Sequence, residues 1–231
     1  MMDSITGFLI RLVVLAPPIL MALTIHEVSH GLVAWRLGDP TAKAAGRLTL
    51  NPLKHLDPMG TLVFFITAWL GKGFGWAKPV PVNPRYFKDP RHGMIWVSLA
   101  GPAVNLAGSL VLAQVLGWLI HSGFFASSML GLGYYPLWKQ MLGQMLIVGV
   151  QINAILAFFN LLPLPPLDGS GILGGLLPPR AAQRYLELSR WGFVVLLAFI
   201  MLPDFLPGFP DFIDLLVMRP AQVYLNWILP L

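Results

Sequence analysis

Long apolar runs separated by short polar stretches make up most of this chain, and the lengths of those runs predict its elements. The first extends from Gly7 to Leu37; Pro17-Pro18 is placed to kink it and Gly38-Asp39-Pro40 to end it. Two more cover Met94 to about Ile120 and Met141 to Leu162, each long enough as a helix to cross about 30 Å of hydrocarbon. Trp191 to Leu202 opens another, lengthened to Leu206 only by passing Pro203 and Asp204. Phe212 to Leu231, interrupted by Arg219-Pro220, reads either as a kinked span or as an interfacial helix.

Between the first two long runs lies a shorter piece, Thr61 to Leu70, too short to cross a bilayer and flanked on both sides by Lys and Arg. Basic flanks at both ends place both on one side of the membrane and predict a re-entrant segment. The alternative is a short tilted span extended into Gly71–Gly75. Around it, Gly46-Arg47-Leu48-Thr49-Leu50 and Lys78-Pro79-Val80-Pro81-Val82-Asn83 are predicted to be extended, since alternating prolines forbid helix. They either line a site or serve as rigid connectors.

Composition agrees with the pattern: 56% of residues are hydrophobic, 11% are charged and the mean hydropathy is +0.72. The expected fold is an all-α integral membrane protein of about four to six transmembrane helices, with a re-entrant or β-hairpin-like segment between the first two motif-bearing helices. It forms one membrane-embedded domain over residues 1–231, with a core at about 7–173 and C-terminal helices at about 190–231. Met1-Met2-Asp3-Ser4 has no basic leader, so the first run is read as a retained span.

The net charge of +5 resides in loops, not in a basic run, which argues against nucleic acid as a partner and for a lipid bilayer. Of the 15 Lys and Arg, only Arg11, Lys139 and Arg219 fall outside the loops assigned to one side. That asymmetry predicts a cytoplasmic end for the first run and an extracytoplasmic N-terminus, in the plasma membrane of a prokaryote.

The chemistry is concentrated at His26-Glu27-Val28-Ser29-His30, near the end of the first run. Imidazoles at i and i+4 share one helical face and can hold a single Zn²⁺, while Glu27 can contact a water on that metal. Ionisable groups on so apolar a helix are costly unless they are paired, metal-bound or facing a wet cavity. Without Cys there is no thiolate, so any metal site must use His and carboxylate, the donor set of catalytic zinc. A catalytic zinc takes a third protein ligand. Asp168 is the strongest candidate, because it follows an apolar run and the break Pro163-Leu164-Pro165-Pro166-Leu167, whereas most other carboxylates sit in loops or at segment ends.

With these residues in view the chain resembles the site-2 protease family of intramembrane zinc metalloproteases. The likeness rests on His26-Glu27-Val28-Ser29-His30, on Ala100-Gly101-Pro102 followed by Asn105, and on the Asn-x-x-Pro pattern from Asn160 to Asp168-Gly169. It spans roughly Leu20 to Leu173 and is closest to the compact branch without a PDZ domain. The resemblance implies one Zn²⁺ per chain held by His26, His30 and Asp168, with Glu27 as general base and later acid. It also implies substrate or oxyanion contacts from Asn105 and Asn160, although either side chain could instead simply hydrogen-bond across helices. An extended substrate, drawn from a membrane protein or membrane-anchored peptide, is expected to dock beside Val80–Asn83, with Val80 and Val82 as contacts, or beside Leu48–Leu50. His55, His92 and His121 are left outside the site.

The expected function is zinc-dependent endopeptidase activity in or near transmembrane segments of other proteins. The alternative, from a different class, is a non-catalytic membrane protein that binds or transports metal with the same ligands. Glu27 separates the two, because a transport site needs ligands but has no use for a general base beside one of them. Substrate identity and oligomeric state are not encoded in any motif.

Overall fold

The computed structural model of the chain describes residues 5–69, 75–125, 136–187, 189–206 and 208–229. Met1–Ser4, and residues 70–74 at the far end of the expected re-entrant segment, lie outside the described residues. Among the described residues every element is helical: α1 (Ile5–Arg36), α2 (Thr41–Ala44), α3 (Pro58–Trp69), α4 (Pro90–His121), α5 (Leu137–Asn160), α6 (Asp168–Leu176), α7 (Pro179–Glu187), α8 (Ser189–Phe205) and α9 (Arg219–Ile228). Three of them, α1 from Leu12 onward, α4 and α5, are long and apolar enough to cross a membrane. A fourth crossing is available if α7 and α8 form one broken span, which is the lower end of the expected four to six.

Helix α1 continues through Pro17 and Pro18 and ends where Gly38 adopts φ 105°, a left-handed conformation that suits glycine. Helix α4 is the centre of the bundle. Its buried face repeats every four residues as Gly101, Asn105, Ser109 and Ala113, so small and polar side chains let α1 and α5 approach closely. The contact with α5 is fixed by hydrogen bonds as well as packing: Ser109 Oγ donates to Val150 O at 2.7 Å, and Asn105 Nδ2 donates to Asn153 Oδ1 at 2.8 Å. Residues 212–228 form one helical stretch with a wider turn at Asp214–Met218. Val217, Ala221, Leu225 and Ile228 are its buried face, and Tyr224 donates its hydroxyl to Leu106 O on α4.

The expected hairpin has no strands among the described residues; an isolated antiparallel bridge joins Leu56 to Ala77, beside a 2.8 Å hydrogen bond from Lys78 N to His55 O. The bridge brings together the two ends of the α3 excursion. On the way back the chain lies against the start of α3, so closely that a Cβ at Gly60 would meet Trp76 and one at Gly75 would meet Phe64. Pro79 and Pro81 carry no N–H, so the return segment cannot continue the ladder and is tied down by side chains instead.

Candidate metal centre

His26 and His30 leave one face of α1 a turn apart, both buried, with their Nε2 atoms 3.1 Å from each other. Helix α6 begins at Asp168 and sets Oδ2 3.1 Å from His26 Nε2 and 3.3 Å from His30 Nε2. Glycine makes that approach possible. A Cβ at Gly169 would collide with the carbonyls of Leu161 and Leu162, so the chain can fold back tightly on the end of α5 only with glycine there. Gly171 and Gly175, one turn apart, lay α6 against Ser98 and Ile95 of α4. Arg91 closes the other end, its guanidinium donating to the carbonyls of Gly175 and Leu177.

The hydrogen bonds behind the histidines decide which ring nitrogen is free. Val97 O can only accept, so His30 Nδ1 donates to it at 2.7 Å. Asn105 spends its amide donors on Ala22 O and Asn153 Oδ1, which turns its own oxygen toward His26 Nδ1 at 2.5 Å. In its neutral form each imidazole therefore presents a bare lone pair at Nε2. Two such nitrogens and a carboxylate oxygen converge, and Asp168 Oδ2 is buried with no hydrogen-bond donor. This arrangement is repulsive by itself and is relieved by a cation. The edges of a tetrahedron with ligand bonds of about 2.0–2.1 Å are about 3.3 Å long, and the separations of 3.1, 3.1 and 3.3 Å match them. The donor set thus fits zinc and leaves a fourth position. Gly101 faces both rings, where any Cβ would strike them.

Glu27 Oε2 accepts a hydrogen bond from Val80 N at 2.9 Å. The segment that supplies this donor is held at two further places: Arg47 Nη2 donates to Lys78 O, and Asn83 N donates to Asp39 Oδ2, both at 2.6 Å. Asp39 is fully buried, which raises its carboxyl pKa, but the donors from Asn83 and Thr41 outweigh burial and hold it below the usual carboxylate range. Leu48, Val80 and Ala42 converge over Gly31, next to His30, so the Gly46–Leu50 and Lys78–Asn83 segments both flank the site.

Of the residues anticipated from sequence, His26, Glu27, His30 and Asp168 come together. Asn105 is fully buried behind His26, with its oxygen and both amide hydrogens engaged by His26, Ala22 and Asn153. Asn160 donates back to Leu156 O of its own helix. Val80 and Val82 pack inward, Val80 over Gly31 and the partly buried Val82 onto the Ala34, Phe87 and Val97 cluster. Sequence reasoning missed Asn153 and Asp39. A polar residue within an apolar run was the available signal for Asn153; Asp39 gave none, being one more acidic residue in a loop.

The profile of Peptidase family M50 matches residues 14–203. The chain belongs to this family, the site-2 proteases. YwhC of Bacillus subtilis, a relative named as a zinc metalloprotease, is 41% identical over 188 residues, covering 80% of this chain and 78% of its own length. The Rip2 proteins of Mycolicibacterium smegmatis and Mycobacterium tuberculosis, likewise named as zinc metalloproteases, are each 32% identical; the alignments cover 80% of this chain and 65% of theirs. No solved structure matches. As a family M50 peptidase with long apolar helices, the chain is a multi-pass integral membrane protein that acts on proteins in membranes.

Proposed function

We propose that this family M50 peptidase is a zinc-dependent intramembrane endopeptidase in which His26, His30 and Asp168 hold the metal and Glu27 is the general base. The observation that carries this reading is the triangle of Nε2, Nε2 and Oδ2 at 3.1–3.3 Å, placed beside Glu27 in a bundle of long apolar helices. Zinc bound there supplies Lewis acidity, polarising a carbonyl and bringing the pKa of a coordinated water toward about 7.

The protein's own groups do the rest. The Asn105 and Val97 oxygens keep a proton on each Nδ1 and so keep both Nε2 lone pairs directed at the metal position. The Val80 N–H fixes Oε2 of Glu27 and leaves Oε1 to take a proton from water and pass it to the leaving amine. The site opens toward the cytoplasmic face of the plasma membrane, where the basic loops lie. A substrate helix hides its carbonyls in its own hydrogen bonds, so it unwinds to an extended form beside the Lys78–Asn83 backbone.

Membrane proteomics of the host carrying Glu27→Gln against wild type tests the function. Single-span proteins should accumulate uncut in the variant. An identical set of membrane fragments in the two strains would sink the protease reading.

A further inference from the structure

At the end of α1 opposite its N-terminus, a cleft of about 380 Å³ separates α1 from the start of α4. Its volume lies within the about 300–1,000 Å³ typical of small-ligand sites. It is amphipathic. Leu37 and the ring of Phe87 contribute apolar wall, Trp96 is 61% exposed, and Arg36 and Lys88 supply cations. Gly93 keeps that wall in place, since any Cβ there would run into the Phe87 ring.

The charges differ in whether they are already compensated. Asp89 N-caps α4 through the Arg91 and His92 amides and is paired with His92 Nδ1 at 2.6 Å. Arg36 and Lys88 have neither a hydrogen bond nor an ion pair among the described residues. Two uncompensated cations and an apolar wall, bordered by an exposed tryptophan where two membrane helices end, suit an amphiphile with an anionic head. A soluble anion would leave the apolar wall unused, and a neutral lipid would leave the cations unused. We propose that this cleft binds the phosphodiester headgroup of an anionic phospholipid, with Arg36 and Lys88 as the phosphate ligands and Trp96 against the upper acyl chain. The proposal does not depend on the peptidase chemistry.

The test is lipid retention by the full-length protein, measured by native mass spectrometry after exchange into phosphatidylglycerol or phosphatidylcholine vesicles. Wild type should retain phosphatidylglycerol preferentially. Arg36→Gln and Lys88→Gln should each lower that preference roughly fivefold, and the double variant on the order of twentyfold or more. The charge-preserving pair Arg36→Lys with Lys88→Arg should keep it, which separates loss of charge from loss of fold. Unchanged preference in the Gln double variant would overturn the proposal. So would an equal loss on changing two exposed basic residues elsewhere, Lys54→Gln with Arg180→Gln, because the effect would then be diffuse charge. Complete displacement of the lipid by inorganic phosphate at millimolar concentration would assign the cleft to free anions and overturn the lipid assignment.

Discussion

The backbone N–H of Val80 donates to Oε2 of Glu27 at 2.9 Å, so a residue 53 positions along the chain fixes the carboxylate between the two histidines. Val80→Pro removes this donor in a segment whose neighbours are already proline, whereas Val80→Ala removes comparable packing and keeps it. A lost hydrogen bond to a charged group costs about 1.5–3 kcal/mol, so Val80→Pro should lower kcat roughly tenfold or more beyond Val80→Ala. Zinc content and KM should be alike in the two. Equal kcat values would show that the contact does not position the base.

Metal analysis separates the ligands from the base. Asp168→Ala should leave the purified protein with far less than one zinc after dialysis, while Glu27→Gln should keep one zinc per chain and lose nearly all cleavage. Full zinc and full activity in Asp168→Ala would remove it from the ligand set.

Asn105 has two possible roles that predict different kinetics. If it acts through His26 Nδ1, as its burial and its bonds indicate, Asn105→Ala should weaken zinc binding about 10–100-fold with KM nearly unchanged. A raised KM with unaltered zinc affinity would restore a direct substrate contact.

Asp39 makes the Lys78–Asn83 segment sensitive to acid. Its carboxyl is held below its ordinary range in the folded state, so its stabilising contribution is fully present above the unfolded value and is lost as pH falls through the folded one. Amide-exchange protection at Val80 and Asn83 should therefore be flat near neutrality and collapse below about pH 4. In Asp39→Asn, protection should be lower at pH 7 and lack that acid transition. A wild-type-like acid transition in the variant would mean that another group controls the segment.

The Leu56–Ala77 bridge closes the α3 excursion, which predicts that its flanks share one side of the membrane. Cysteines introduced singly at Lys43 and Lys88, both exposed in a chain without native Cys, should be labelled by an impermeant thiol reagent from the same face. Labelling from opposite faces would make α3 part of a complete crossing.

How far each feature could be read from sequence follows from the range of the interaction behind it. Apolar run length determined α1, α4 and α5, because a membrane helix satisfies its backbone within itself and needs only about 20 apolar residues. The pairing of His26 with His30 was equally local, being helical periodicity. Asp168 was legible as a carboxylate after a proline-rich break, but its distance to the rings depends on Gly169, Gly171 and Gly175 packing against backbone and side chains remote in sequence. What only the tertiary structure decided was direction. It turned Asn105 toward His26, and turned the Val80 and Val82 side chains inward while the Val80 N–H faced Glu27. Orientation of a polar group in a bundle is set by which donors and acceptors its neighbours leave unpaired. No local pattern encodes that, because those neighbours lie 48 to 83 residues away.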